Sequence, residues 1–279
     1  MADMTFSPPA QLDRSNSQAY LLNDSKTFLD GKPLLFYFPG LDETGRDLID
    51  IEVASLAADF NVRALIVPAK DLDDWDQLAA SAIALIKDEL SHLPGSLPVY
   101  LCAESFGGCL ALTALLQAPD LFDLVILVNS ASSLSRVVHI NIGSRLLPFV
   151  PQALYDFSTN FAIAFLAPPQ RLSPAGKKGL IASTRDTPKS TLQWRIDLMR
   201  DFTLTPADKS KLRQIDRPVL ILGSKQDRIL PSVEEAQRLA KIFSHSQVVV
   251  LPDSGHACLA EKDFDLDAIL RERGFITAA

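Results

Sequence analysis

The chain has 279 residues, is 47% hydrophobic and carries 27 Lys/Arg against 34 Asp/Glu, a net charge of -7. That length and apolar content can bury a sizeable core and fit one large α/β domain, or a domain with an insertion, better than two independent domains. The acidic balance excludes the general basic field that nucleic-acid binding needs and favours solubility, and no run of 18 or more apolar residues marks a membrane span.

Residues 1 to 31 are polar and turn-rich, with at most a short edge strand around Tyr20 to Leu22. Pro33 to Phe38 is a continuous apolar run, the pattern of a strand covered on both faces in a parallel sheet. It leads into Pro39-Gly40-Leu41-Asp42-Glu43-Thr44-Gly45. The spacing from Gly40 to Gly45 is that of a phosphate loop, but Arg46-Asp47 stands where that motif needs Lys followed by Ser or Thr, so nucleotide binding is not expected. Two readings remain. Gly40 lets the backbone approach a reacting oxygen while the Leu41 N–H donates to it, or the loop is an ordinary turn into a helix over 46–59.

Asn61 to Pro68 reads as a second strand, followed by an acidic loop with Asp71, Asp73, Asp74 and Asp76. The glycine and terminal glutamate of a calcium loop are missing, which predicts a solvated loop that caps a helix from Trp75 to about Leu90. After the Pro94-Gly95 turn come a strand at Val99 to Cys102, a sharp turn at Ser105, and a helix running to about Ala118 and stopped by Pro119. Leu124 to Val128 is the next buried strand, and the alternation of strands and helices to this point indicates βαβ units and a parallel sheet.

The rhythm breaks over 131–210, which has irregular apolar segments, several prolines and one predicted helix, Thr191 to Phe202. This stretch is expected to be a helical cap over the carboxyl ends of the strands, where open α/β sheets bind ligands. The chain then divides into a core of 1–130 and 211–279 and a cap of 131–210. Regular spacing returns with a strand over 218–222, a helix from Pro231 to Phe243, a strand from Gln247 to Leu251 and a last helix near Phe264 to Arg273.

Chemistry concentrates at three strand ends. Ser105, in Ala103-Glu104-Ser105-Phe106-Gly107, has the small neighbours of a nucleophile elbow, with Ala103 in place of the usual first glycine. Asp227 follows the strand after the cap, and His256 follows the final strand. Ser, acid and His in this chain order, each on a loop leaving one sheet edge, match an α/β-hydrolase. In that arrangement His256 takes the Ser105 proton and Asp227 orients the imidazole, while the N–H groups of Phe106 and Leu41 bind the oxyanion. Asp253, close to His256 in sequence, competes with Asp227 for the role of acid or is a loop cap. His92, His139 and His245 sit in turn, cap and helix-end contexts.

Cys102, Cys109 and Cys258 lack C-x-x-C spacing and read as buried thiols of a reducing compartment. With no basic, apolar leader at Met1 to Met4, the expected location is cytoplasmic, with peripheral membrane contact open. No H-E-x-x-H or paired Cys/His spacing points to a metal, and no cofactor is expected.

Phe38 to Gly45, Glu104 to Leu112, Leu127 to Ser132, Thr191 to Trp194 and Asp253 to His256 occur in an order that resembles the hydrolase-like part of the plant and cyanobacterial esterase/lipase/thioesterase family of phytyl ester synthase type. The resemblance covers about 30–273. It implies handling of fatty acyl groups presented by acyl carrier protein, CoA or lipid, and transfer to phytol or another lipid alcohol. Plant members carry a further acyltransferase domain after this part, whereas the chain ends at Ala279, so hydrolysis of hydrophobic acyl esters or thioesters by a serine esterase, lipase or thioesterase is the simpler expectation. Acyl transfer is the alternative; a catalytically silent lipid-binding module is an alternative of another class. Residues 131–210 hold 10 Lys/Arg against 5 Asp, which suits docking of an anionic carrier or lipid surface at Arg171, Lys177 and Lys178, or scattered solvated charges.

Overall fold

The computed structural model describes residues 18–23, 29, 31–40, 56–57, 59–93, 97–137, 149–151 and 164–276. Leu41, His139 and nearly all of the helix expected over 46–59 lie outside them.

The described strands are β1 (Tyr20–Asn23), β2 (Leu34–Phe38), β3 (Asn61–Ile66), β4 (Val99–Glu104), β5 (Leu124–Val128), β6 (Val219–Ser224) and β7 (Ser246–Leu251). They form a sheet of order β1-β3-β2-β4-β5-β6-β7, in which β1 runs antiparallel to β3 and every other pair is parallel. Side chains alternate across the pleat. Leu34, Phe36 and Phe38 of β2 therefore join one buried cluster with Leu101 and Ala103 of β4, while Leu35 and Tyr37 join a second cluster with Tyr100 and Cys102. Both faces are covered, which is why β2, β4, β5 and β6 are apolar up to their C-terminal ends; in β3 the buried Asn61 donates to the Leu29 and Lys32 carbonyls and the buried Arg63 to Glu89.

The first cluster is closed by α1 (Trp75–His92) and α2 (Phe106–Gln117), and by α6 (Ser232–Ala240); the second by the chain after β7, including α7 (Leu266–Glu272). Asp74 caps α1 in a reciprocal box with Gln77, as a helix N-terminus requires. The acidic loop before it differs from expectation in one respect. Asp71 is buried and accepts the Asp73 N–H, so this loop is partly folded into the protein instead of solvated.

Between β5 and β6 stand α3 (Pro174–Asp186), α4 (Lys189–Asp201) and α5 (Pro206–Arg213). Only α4 was expected. Helix α3 begins with Ser173 capping the Gly176 N–H and Pro174 in its first turn, a start signal present in the sequence. Its internal glycines blur the apolar pattern, and Gly176 is needed because a Cβ there would stand 2.6 Å from the Ala260 carbonyl oxygen. Among the described residues no helix is long and apolar enough to cross a membrane.

Candidate active site

The chain passes from β2 to β3 on one side and returns to β4 on the other, so the loops leaving β2 and β4 part company at this point in the sheet. Such a switch point opens a crevice at the strand ends. Gly40, which is buried, leaves β2 there, and Ser105 leaves β4.

Ser105 is 4% exposed and adopts φ 49°, a left-handed backbone rare for a residue with a Cβ. The turn is held from several sides: the Ser105 N–H donates to Val128 O at 3.0 Å, the Ser105 carbonyl accepts the Ala131 N–H at 3.1 Å, and the Gly107 N–H donates to Pro39 O at 2.9 Å. A Cβ on Gly107 would lie 2.7 Å from Pro39 O, so glycine is required for the elbow to pack against the end of β2. Ala103, at the other small position, is fully buried in β4.

The structure brings Ser105, His256 and Asp227 together. His256 Nε2 lies 2.9 Å from Ser105 Oγ and Nδ1 lies 2.7 Å from Asp227 Oδ2. With Nδ1–H donating to Asp227, Nε2 is left to accept the Ser105 hydroxyl proton. Asp227 Oδ1 accepts the N–H groups of Ile229 and Leu230 at 2.8 and 2.9 Å, and Oδ2 accepts the Ser232 hydroxyl. Burial pushes the Asp227 carboxyl up, but His256 and these hydrogen bonds outweigh it and hold the group below the ordinary carboxylate range. Asp253 is exposed, whereas Asp227 is hydrogen-bonded to the imidazole Nδ1.

Asn129 escaped the sequence reading. It ends β5 with φ 44°, is fully buried, and donates from Nδ2 to Ser224 Oγ at 2.9 Å and to the His256 carbonyl at 2.7 Å while its Oδ1 accepts the Ser224 N–H at 2.8 Å. One side chain thus ties β5 and β6 to the loop that carries His256. A polar residue that closes an apolar strand was its only signal. Ser232 and Glu261 were missed for the same reason, since their partners are apparent only in three dimensions.

Phe106, the residue after Ser105, is wedged between α1 and α4. Its ring is 4.7 Å from that of Trp75 and 5.5 Å below the Arg195 guanidinium, which also donates to Val67 O at 2.5 Å. Trp75 in turn donates to Leu198 O at 3.0 Å, and Thr191 to Ala69 O at 2.9 Å. Helix α4 is therefore fixed on the nucleophile side of the sheet.

Cys102, Cys109 and Cys258 are buried and in no disulfide, and burial pushes the thiols of Cys109 and Cys258 well up, so neither of these two is a ready nucleophile. His92 is exposed on Asp88, and His245 pairs with Asp216 at 3.1 Å. Among the described residues no cluster of His, Cys, Asp and Glu could hold a metal.

The chain is 29% identical over 269 residues to phytyl ester synthase 1, chloroplastic, of Arabidopsis thaliana, an overlap of 88% of this chain and 37% of that protein. Phytyl ester synthase 2, chloroplastic, of the same plant is 27% identical over 86% of this chain and 37% of its own length. The chain thus spans little more than a third of these relatives. A solved thermophilic esterase from Thermogutta terrifontis superposes with a TM-score of 0.64 at 18% identity, covering 92% of this chain and 93% of that one, a likeness of fold alone. Residues 68–263 match the sequence pattern of the alpha/beta hydrolase fold, and with its switch-point elbow and mostly parallel sheet the chain belongs to that family.

Proposed function

We propose that this chain is a serine hydrolase that cleaves hydrophobic acyl esters or thioesters through an acyl-enzyme. The observation that carries the reading is the hydrogen-bonded series from Ser105 Oγ through His256 to Asp227 on a turn held at φ 49°. His256 would remove the Ser105 proton as Oγ attacks the acyl carbonyl, then return it to the leaving alkoxide or thiolate; Asp227 would stabilise the imidazolium between these steps. Water, activated by the same imidazole, would release the acid. The Phe106 N–H, in the first helical turn where backbone donors lack helical partners, would stabilise the oxyanion, together with the Leu41 amide.

Acyl transfer is the second reading, favoured by the phytyl ester synthases among the relatives. The same acyl-Ser105 would then be captured by phytol or another lipid alcohol instead of water. In both readings 131–210 acts as the cap that receives the acyl chain.

A panel of p-nitrophenyl, CoA and carrier-bound acyl substrates of rising chain length, with and without phytol, tests the proposal. Turnover should rise toward long chains and fall by at least about 10³-fold in Ser105→Ala. A maximum at the shortest chains would remove the hydrophobic-acyl reading, and ester formation outrunning acid release in the presence of phytol would favour transfer.

A further inference from the structure

His256 lies between β7 and α7 on a stretch whose only described regular piece is a single 3-10 turn, Cys258–Ala260. Asn129 holds it from the sheet side. On the other side is a buried carboxylate. Glu261 Oε1 accepts the N–H of Gly255, immediately before His256, at 2.8 Å, and Oε2 accepts Arg171 Nε at 2.5 Å. The Glu261 side chain is 0% exposed.

Arg171 belongs to the insertion, and that part of the insertion is joined to the histidine loop along its length. The Ala257 N–H donates to Leu166 O at 2.8 Å, the Lys262 N–H to Arg171 O at 3.0 Å, and Leu172 forms an antiparallel bridge with Glu261. Ala167, Leu172, Leu180, Ala257 and Ala260 make a small apolar cluster of their own, apart from the two that flank the sheet. A Cβ on Gly255 would stand 2.7 Å from Ala167 Cα, so the residue before the histidine has no side chain with which to steady the loop.

Burying a carboxylate is costly unless it is paired and hydrogen-bonded, and removal of one partner leaves the other groups unsatisfied. Here the bonds made by that carboxylate end on the residue next to His256 and on the insertion. We propose that Glu261 is a positioning residue that sets the His256 imidazole against Ser105, and that through Arg171 it makes this alignment depend on how the insertion is seated. The proposal rests on the serine-hydrolase reading above. Arg171 is accordingly occupied in this pair, with Asp253 and Asp263 also facing it, and is removed from the carrier-docking surface expected from its charge.

The test uses the full chain and a short p-nitrophenyl ester that does not depend on the insertion for binding, with kcat normalised to sites titrated by a fluorophosphonate. Glu261→Ala should lower kcat about 10- to 100-fold with KM changed less than about threefold. Glu261→Gln, whose amide oxygen can still accept the Gly255 N–H, should restore most of the loss. Arg171→Ala should be intermediate, and the double variant no worse than Glu261→Ala alone. Wild-type kcat per titrated site in Glu261→Ala would overturn the proposal whatever the melting temperature does; if that variant does not fold, wild-type kcat in Arg171→Ala overturns the coupling. An inert wild type would instead strike the hydrolase reading. The low-field proton resonance of His256 Nδ1–H, absent in Asp227→Asn, then decides without turnover: shifted or lost in Glu261→Ala and retained in Glu261→Gln supports positioning, and unchanged in both contradicts it.

Discussion

A carboxylate steadies a catalytic imidazole only if its own oxygens are held in place. The Asp227 side chain is 1% exposed, and two N–H groups and a hydroxyl fix it before the imidazole is counted, whereas Asp253 stands in solvent. Asp227→Asn should therefore cut kcat by roughly 10³- to 10⁴-fold, by offering Nδ1 an amide that no longer enforces the tautomer, and Asp253→Asn should change it less than about twofold. The same group carries a pH signature. Its folded value lies below the ordinary one, so it stabilises the fold above the ordinary carboxylate range and loses that contribution as pH falls through the lower folded value. The gap in melting temperature between wild type and Asp227→Asn should narrow below about pH 4, and a gap that widens there would contradict the assignment.

Among the elements, Asn129 joins the ends of β5 and β6 to the histidine loop through bonds to partners 95 and 127 positions further along the chain. Asn129→Ala should cost about 1–3 kcal/mol in urea unfolding, because it leaves the buried Ser224 N–H and the His256 carbonyl without that partner. The contrast with the strands shows what a sequence can convey. β2, β4 and β5 were legible because double-sided burial writes a continuous apolar run into the chain itself, and Ser105, Asp227 and His256 were legible because loop order at one sheet edge is a property of the chain. Asn129, Ser232 and Glu261 were not, since a polar residue acquires its meaning from a partner that folding brings in. Helix α3 was hidden by glycines that cost about 1 kcal/mol each in a helix and that tertiary contact with the Ala260 carbonyl demands at one position.

For the whole molecule, charge is unevenly distributed. Residues 131–210 carry a net charge of +5, leaving -12 on the remainder of a chain whose total is -7. With Arg171 engaged by Glu261, the exposed Lys177 and Lys178 on α3 remain as candidates for meeting an anionic carrier. Lys177→Glu with Lys178→Glu should raise KM for acyl-carrier or acyl-CoA substrates several-fold, about 1 kcal/mol or more of lost attraction, and this effect should fade with added salt. KM for a small neutral ester should stay the same; equal changes in both would remove the docking role. Among the described residues, 131–210 meets the rest of the chain at α4 around Phe106 and along the Leu166 to Leu172 stretch against the histidine loop. Both lie beside groups proposed to act on the acyl carbonyl, so substrate seated beneath the insertion would bear on nucleophile and base together.

In the proposed reaction Ser105 carries the acyl group between donor and acceptor. Rapid-quench intact-mass analysis after mixing with a long-chain p-nitrophenyl ester tests it most directly. A transient gain of one acyl group is expected, mapped by peptide digestion to Ser105 and absent from Ser105→Ala; undiminished ester turnover in Ser105→Ala, or an acyl group that maps to another residue, would overturn the role of Ser105.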